Sequence, residues 1–411
     1  MALLFLSFAL GTALSTLNLF FPWFAGQRRS VLSWLAGLLS GELAPHAAIF
    51  QLLVSGGFVL LGALEQPAGQ LALALMVASW IGQAAAYGRS LGARYPLEAA
   101  LGELDLGADL PRFPALREVL QPLPLTPPEV EHLRGIPFAC AGGVELMMDV
   151  FRPRAPGPPR PMLLQIHGGA WIVGSRVNQA RPLMRHMAQR GWICATIDYR
   201  LSPRATFPEH LIDCKRALQY LRERGHELGG DPGFVIATGG SAGGQLCALL
   251  GLTANQPEYQ PGFEAVDTSV RACVPFYGVY ETVDFEGAYS NNGLKELLEQ
   301  TVLKISLEAD PEAYHRASPI AQAHESAPPF FLIHGDRDSL VPVEVARRFR
   351  DALRSKSQNP VLYAELPGAQ HAFEVLRSPR TLYAVEAVAG FCEWVRARDM
   401  GSPVAPGLSA S

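Results

Sequence analysis

Apolar residues are distributed along this chain in two unlike ways. Residues 1–27, MALLFLSFALGTALSTLNLFFPWFAGQ, contain no charged side chain, and after Arg28 and Arg29 only Glu42 and Glu65 interrupt the apolar sequence before Arg89. A helix needs about 20 mainly apolar residues to cross the hydrocarbon core of a bilayer. Three stretches reach that length: about 2–24, about 43–64 and about 67–88. The piece SVLSWLAGLLSG at 30–41 is too short to span alone, and reads as an interfacial helix or as the first part of a span broken near 41–45. Trp23, Trp34 and Trp80 stand where interface anchors are expected. A cleaved signal peptide would begin with basic residues, yet no Lys or Arg precedes position 28. Retained membrane helices over residues 1–90 are therefore expected, with a buried helical bundle as the alternative. Three spans would put Arg28–Arg29 and Arg89/Arg94 on the cytoplasmic side, and a different span count reverses the side.

The second pattern begins near residue 138. Short β-branched and apolar runs (LLQIH, ICATIDY, FVIATG, ACVPFYG, FFLIHG, VLYAELPG) alternate with helical stretches such as QARPLMRHMAQRG, HLIDCKRALQYLRERG and EVARRFRDALRS. Strands interleaved with helices require right-handed crossovers and a mostly parallel sheet covered on both faces, so the fold class is α/β. Between the two patterns, about 96–134 is mixed in charge and rich in proline (LPRFPALREVLQPLPLTPPEV) and reads as a connector. RPRAPGPPRP at 152–161 reads as a surface loop between two strands. The expected organisation is a hydrophobic helical region over 1–95, a connector over 96–134, an α/β catalytic domain over 135–400 and a tail over 401–411. The stretch 278–316, with Asp284 and Glu286, reads as a cap.

Composition narrows the function classes. The 411 residues carry 34 Lys+Arg against 38 Asp+Glu, a net charge of −4, which gives no basic face for nucleic acid. The mean hydropathy of +0.13 is high for a soluble domain, and its excess lies in the first ninety residues. Six cysteines form no CxxC pair and have no His at metal-ligand spacing, so neither a disulfide framework nor a metal site is expected. Cys194 and Cys273 lie inside strand-like runs and read as small core residues.

In an open parallel sheet, ligands sit beyond the carboxyl ends of the strands, and glycine-rich turns occupy those ends here. Gly239-Gly240-Ser241-Ala242-Gly243 fits G-x-S-x-G between the strand FVIAT and the small-residue helix AGGQLCALLGLTA, the setting of a nucleophile elbow. Ala242 opens the helix, so its N–H is free for an oxyanion. HGGAW at 167–171 follows an earlier strand, and Gly168 and Gly169 would supply further donors. His167 and Trp171 read as structural. A serine nucleophile needs a histidine base and an orienting carboxylate, in the chain order Ser, Asp/Glu, His for this fold. FFLIHGDRDSLVP offers Asp336 and Asp338, and PGAQHAF offers His371, each just after a strand. Asp338 suits the orienting role, because it lies past the turn and before apolar Leu340-Val341. Asp336 suits a turn cap, and His371, among small residues, a mobile exposed imidazole. Asp198-Tyr199-Arg200 reads as a buried network supporting the elbow, with Asp213 as its partner.

HGGAW, DYRLSP, GGDP, GGSAGG, HGDRDSLVP and GAQHAF, in that order over about residues 135–398, resemble the hormone-sensitive-lipase-like carboxylesterases of the α/β-hydrolase superfamily. Among these the resemblance is to the membrane-associated type C lipase/esterases of actinobacteria. It implies Ser241 as nucleophile, Asp338 as orienter, His371 as base, and Gly168, Gly169 and Ala242 as oxyanion donors. The chain departs from the family at Ala170, where many members have a third glycine, and at Gly240, where the form G-D-S-A-G-G has Asp. The expected function is a membrane-associated serine esterase acting on short- to medium-chain acyl esters, with no cofactor. The alternatives are an amidase or formamidase, a prenylcysteine methylesterase, or a ligand receptor on the same fold.

Overall fold

A computed structural model describes residues 1–401 apart from 24–26, 105, 107–109, 111–112, 124 and 290–291, and the side chains of Gln27, Arg28 and Glu286. The side chains of Arg28 and Glu286 and nearly all of the expected tail therefore lie outside what is described.

The apolar N-terminal region is helical: α1 (Ala2–Asn18), α2 (Gln27–Glu42), α3 (Ala44–Leu60), α4 (Pro67–Leu91) and α5 (Arg94–Gly102). Alpha1 and α4 pack on a small core of Phe5, Ala9, Ala63, Ala72 and Met76. Their other faces are open: Leu3, Leu4, Leu10 and Leu14 of α1, and Leu52, Leu53 and Leu60 of α3, are exposed. A bundle closed on itself would bury these side chains. Among the described residues, Pro67–Gly102 is the one unbent helical stretch long and apolar enough to cross a membrane. The first expected span is a helix of 17 residues. Residues Arg29–Glu42 and Ala44–Leu60 form a pair bent by 87°, so the interruption near 41–45 is a real corner. Pro45 sits in the first turn of α3, where its missing N–H costs nothing.

After α6 (Leu116–Val119) the chain builds an eight-stranded sheet. Its strands are β1 (Val130–Ala141), β2 (Val144–Pro153), β3 (Arg160–Ile166), β4 (Ile193–Ile197), β5 (Gly230–Gly240), β6 (Ala272–Phe276), β7 (Phe330–Gly335) and β8 (Val361–Leu366). The order is β1-β2-β4-β3-β5-β6-β7-β8. The pairings β1–β2 and β2–β4 are antiparallel, and every later one is parallel. Strands β3, β4, β6 and β7, and β5 from Phe234 on, are buried nearly throughout because both faces are covered. On one face lie α8 (Glu209–Arg224), α9 (Ala242–Leu252) and α13 (Val343–Lys356), packing Leu211, Leu246 and Phe349 on the sheet. On the other lie α7 (Arg181–Gln189) and α14 (Pro379–Asp399).

Two boundaries differ from the sequence reading. The sheet starts at Val130, inside the expected connector. Alpha5 also belongs to the second core layer, with Leu97, Ala100 and Leu101 buried beside Leu366 and Val388. Residues 278–316 form a short-helix insert, α10 (Phe285–Ala288), α11 (Gly293–Leu297), a π-helical turn and α12 (Pro311–Ala317). Within it, Asp284 caps α10 by accepting from Gly287 N–H at 3.0 Å and pairs with Arg348 at 2.7 Å. All six cysteines are free, and five are buried, but Cys140 near the end of the edge strand β1 is exposed.

Candidate active site

The carboxyl ends of β3, β5, β7 and β8 converge at one edge of the sheet, and every site residue picked out from sequence follows one of them. Ser241, between β5 and α9, holds φ 59° and ψ −124°, a conformation that L-residues avoid at a cost of about 1–3 kcal/mol. Its N–H donates to Phe276 O at 3.0 Å, which pins the turn to β6. The turn works only with bare backbone beside it: a Cβ on Gly243 would lie 2.2 Å from Ile166 O. A Cβ on Gly240 would lie 2.6 Å from the Tyr277 hydroxyl. The departure from G-D-S-A-G-G thus has a local cause, for Tyr277 occupies the space an Asp side chain would need.

After β7, Asp338 is 2% exposed and accepts from the N–H groups of Leu340 (2.9 Å) and Val341 (2.8 Å) through Oδ1. Its Oδ2 lies 2.6 Å from His371 Nδ1 and 3.4 Å from His334 Nε2. Burial alone would raise this carboxyl, but the charge of His371 and the bonds from both imidazoles outweigh it and hold it well below the ordinary carboxylate range. With Nδ1–H donated to the carboxylate, neutral His371 keeps Nε2 as a proton acceptor. Asp336, expected to cap its own turn, instead accepts from Gly368 N–H in the loop after β8 at 2.6 Å, and its carboxyl is raised chiefly by burial.

His371 departs from its expected setting. It is 4% exposed rather than mobile in solvent. Tyr277 packs on it with ring centroids 4.6 Å apart, and the indole N–H of Trp34 on α2 donates to its carbonyl at 2.8 Å. A helix expected to lie in the membrane interface covers the histidine loop.

The loop after β3 also differs in one donor. Gly168 N–H is already engaged by Gln179 Oε1 at 2.6 Å, so it is not free for an oxyanion. Gly168 instead permits close approach, since a Cβ there would lie 2.9 Å from Ser241 Cβ. Among the described residues none accepts from the N–H of Gly169, Ala170 or Ala242. Gly169 (φ 125°), Ala170 (φ 53°) and Trp171 (φ 61°) all have left-handed φ values, which turn the chain sharply at this corner. Trp171 is buried and donates to Gln245 Oε1 at 2.9 Å, and buried His167 stacks on Tyr199 at 4.4 Å, so both are structural.

Arg200 forms a two-pronged pair with Asp213 at 2.8 Å per bond and also reaches Glu209, while Asp198 holds Arg176 and its backbone N–H. Asp213 is thus the partner of Arg200, whereas Asp198 belongs to a separate cluster with Arg176 and Asp149 and not to one network with Arg200; of the three, Asp198 and Arg200 are half-buried and Asp213 is fully enclosed. Sequence reasoning passed over several members of the site. Gln370 Oε1 accepts from Ser339 N–H (2.7 Å) and His371 N–H (3.0 Å), tying the two loops together. Buried Glu374 accepts from the Tyr277 hydroxyl, and burial raises its carboxyl above the ordinary range. His334 closes β7, where the H of FFLIHG was the available sign, while Trp34 had none because its partner is 337 positions away.

Residues 148–353 match the BD-FAE family. The chain is 50% identical over 250 residues to the probable carboxylic ester hydrolase LipM of Mycobacterium tuberculosis, covering 61% of this chain and 58% of that protein. It is 43% identical over 269 residues to esterase LipQ of the same organism, covering 65% and 63%. These matches span about three fifths of the relatives' length. The solved thermophilic esterase Est2 of Thermogutta terrifontis with propionate bound is 25% identical, covers 68% of this chain and 97% of its own, and superposes with a TM-score of 0.53. With the sheet order and strand-end turns described above, the chain belongs to the BD-FAE family, among the hormone-sensitive-lipase-like α/β-hydrolases.

Proposed function

We propose that this chain is a serine carboxylic-ester hydrolase held at a membrane. The observation that carries the reading is the buried 2.6 Å contact between His371 Nδ1 and an ionised Asp338, placed at the same sheet edge as a serine held at positive φ. In this reading Ser241 Oγ attacks the ester carbonyl as His371 Nε2 takes its proton. The alcohol leaves with that proton, and water, activated by the same imidazole, releases the acid. Asp338 orients the ring and stabilises its charged form. The N–H groups of Gly169, Ala170 and Ala242 bind the developing oxyanion, each donor contributing about 2.7–4 kcal/mol to the transition state. The names of LipM and LipQ support ester hydrolysis, and the propionate bound to the Thermogutta esterase supports short- to medium-chain acyl groups.

The helical region 1–95 is the membrane part, the sheet and its helices from about 130 to 400 the hydrolase, and 278–316 the cap. Exposed leucines on α1 and α3 at this density need an apolar surround, and a bilayer supplies it. A site attached there would meet lipophilic esters. Hydrolysis of a p-nitrophenyl ester series by the full chain and by Ser241→Ala tests the reading. Turnover should disappear in the variant. A wild type that binds esters without cleaving them would move the reading to a receptor, and cleavage of amides in preference to esters would move it to an amidase.

A further inference from the structure

Alpha2 divides its faces in an unusual way. Leu32, Leu35 and Leu39 point outward and are 61%, 46% and 47% exposed, while Ser33 and Ser40 point inward and are buried. The inward face meets α1, where Ser33 Oγ donates to Asn18 Oδ1 at 2.6 Å, and the two catalytic loops. Three contacts reach those loops. The indole of Trp34 donates to His371 O at 2.8 Å. Ser339 Oγ donates to Ser30 O at 3.1 Å, one residue after Asp338. Gly37 lies against Gln370, the residue that bridges both loops, and a Cβ there would stand 3.2 Å from Gln370 Cγ. At the end of the helix, Glu42 Oε1 pairs with Arg380 Nη1 at 2.8 Å, both side chains fully buried.

A backbone carbonyl one bond from the histidine Cα is a direct handle on the position of its ring. The helix that holds these loops lies more than 300 residues from them in the chain, and it carries leucines suited to lipid on its far side. We propose that α2 is a positioning element of the active site. Through Trp34 and Gly37 it holds the Asp338 and His371 loops in register, so turnover depends on the seating of this helix. The proposal rests on the esterase reading above. It concerns the placing of the base and not the binding of substrate, so it bears on kcat and leaves KM alone.

The test compares the full chain in detergent micelles with Trp34→Phe, Trp34→His and Gly37→Ala, using p-nitrophenyl butyrate and following thermal unfolding in parallel. Trp34→Phe keeps an aromatic ring and loses the donor; kcat should fall about three- to tenfold at unchanged KM. Trp34→His restores a ring N–H and should recover part of the loss. Gly37→Ala presses the helix off Gln370 and should lower kcat at least as far. If Trp34→Phe does not fold, Gly37→Ala decides alone. Wild-type kcat in both variants overturns the proposal, as does a fall in kcat matched by an equal loss of folded protein. In either case the esterase reading stands as long as Ser241→Ala is inactive. A wild type that hydrolyses no ester overturns both together.

Discussion

Gly240 gives the sharpest test of how the serine turn is built. Replacing it with Ala adds one carbon, 2.6 Å from the Tyr277 hydroxyl and 2.9 Å from two of its ring carbons. Carbon contacts are favourable at about 3.5–4.0 Å, so the ring or the turn must move by about 1 Å. Neither has room: Tyr277 N–H is bonded to Ile333 O at 2.8 Å, its hydroxyl is held by Glu374, and Ser241 N–H is tied to Phe276. Overpacking of this kind costs about 1–3 kcal/mol, and the double anchoring of Tyr277 puts the expectation in the upper half of that range. Reduced freedom of the unfolded chain returns only about 0.4–1 kcal/mol. At about 2–4 °C per kcal/mol, the thermal midpoint should fall by roughly 2–10 °C. Activity should fall further than stability, because the displaced ring packs on His371, and a 1 Å error in a catalytic group costs about 10²-fold. Gly240→Ala/Tyr277→Ala should be less destabilised than the sum of its singles, with a coupling of about 0.5–3 kcal/mol. Calorimetry and ester turnover on the four proteins provide the cycle. An unchanged midpoint and kcat in Gly240→Ala would refute the claim that Tyr277 closes this space.

Glu374 has a raised carboxyl, so charging it costs more in the folded protein than in the unfolded chain. Its contribution to stability is therefore lost as pH rises from the ordinary value of 4.5 through the folded one. Glu374→Gln should remove that loss, and its urea midpoint should gain on the wild type as pH rises above the ordinary carboxyl value of 4.5; parallel curves would count against the assignment. Arg380→Met strands the buried Glu42 carboxylate and should cost about 3–5 kcal/mol in unfolding experiments, most of it recovered in Glu42→Gln/Arg380→Met.

Much of this site could be read from the chain because its residues announce themselves locally. Ser241, Asp338 and His371 each follow an apolar strand by one to five residues, and order along the chain selects among the acids and bases. The α/β sheet was equally plain, since strand and helix periods alternate over 260 residues or so. What escaped the sequence is non-local. Whether the Gly168 amide is free depends on Gln179, and whether His371 is exposed depends on Trp34. An apolar helix looks the same in sequence whether it faces lipid on all sides or turns its serines toward a catalytic loop. Beta1 begins at Val130, ahead of the pattern that becomes visible near residue 138, and its register shifts between Leu133/Ile136 and Pro137/Ala139 fall where Gly135 and Pro137 stand.

The bond between Trp34 and His371 also orders the events of synthesis. Alpha2 leaves the ribosome more than 330 residues ahead of the histidine it holds, and the partner of Glu42 arrives nine residues later still. Until then the helix has a buried acid without its cation and an indole without its acceptor, and the hydrolase has no finished edge. The last strand and helix of the chain complete the oldest part of it. A product that ends before His371 keeps the serine turn but lacks both the histidine and the carbonyl that the Trp34 indole holds.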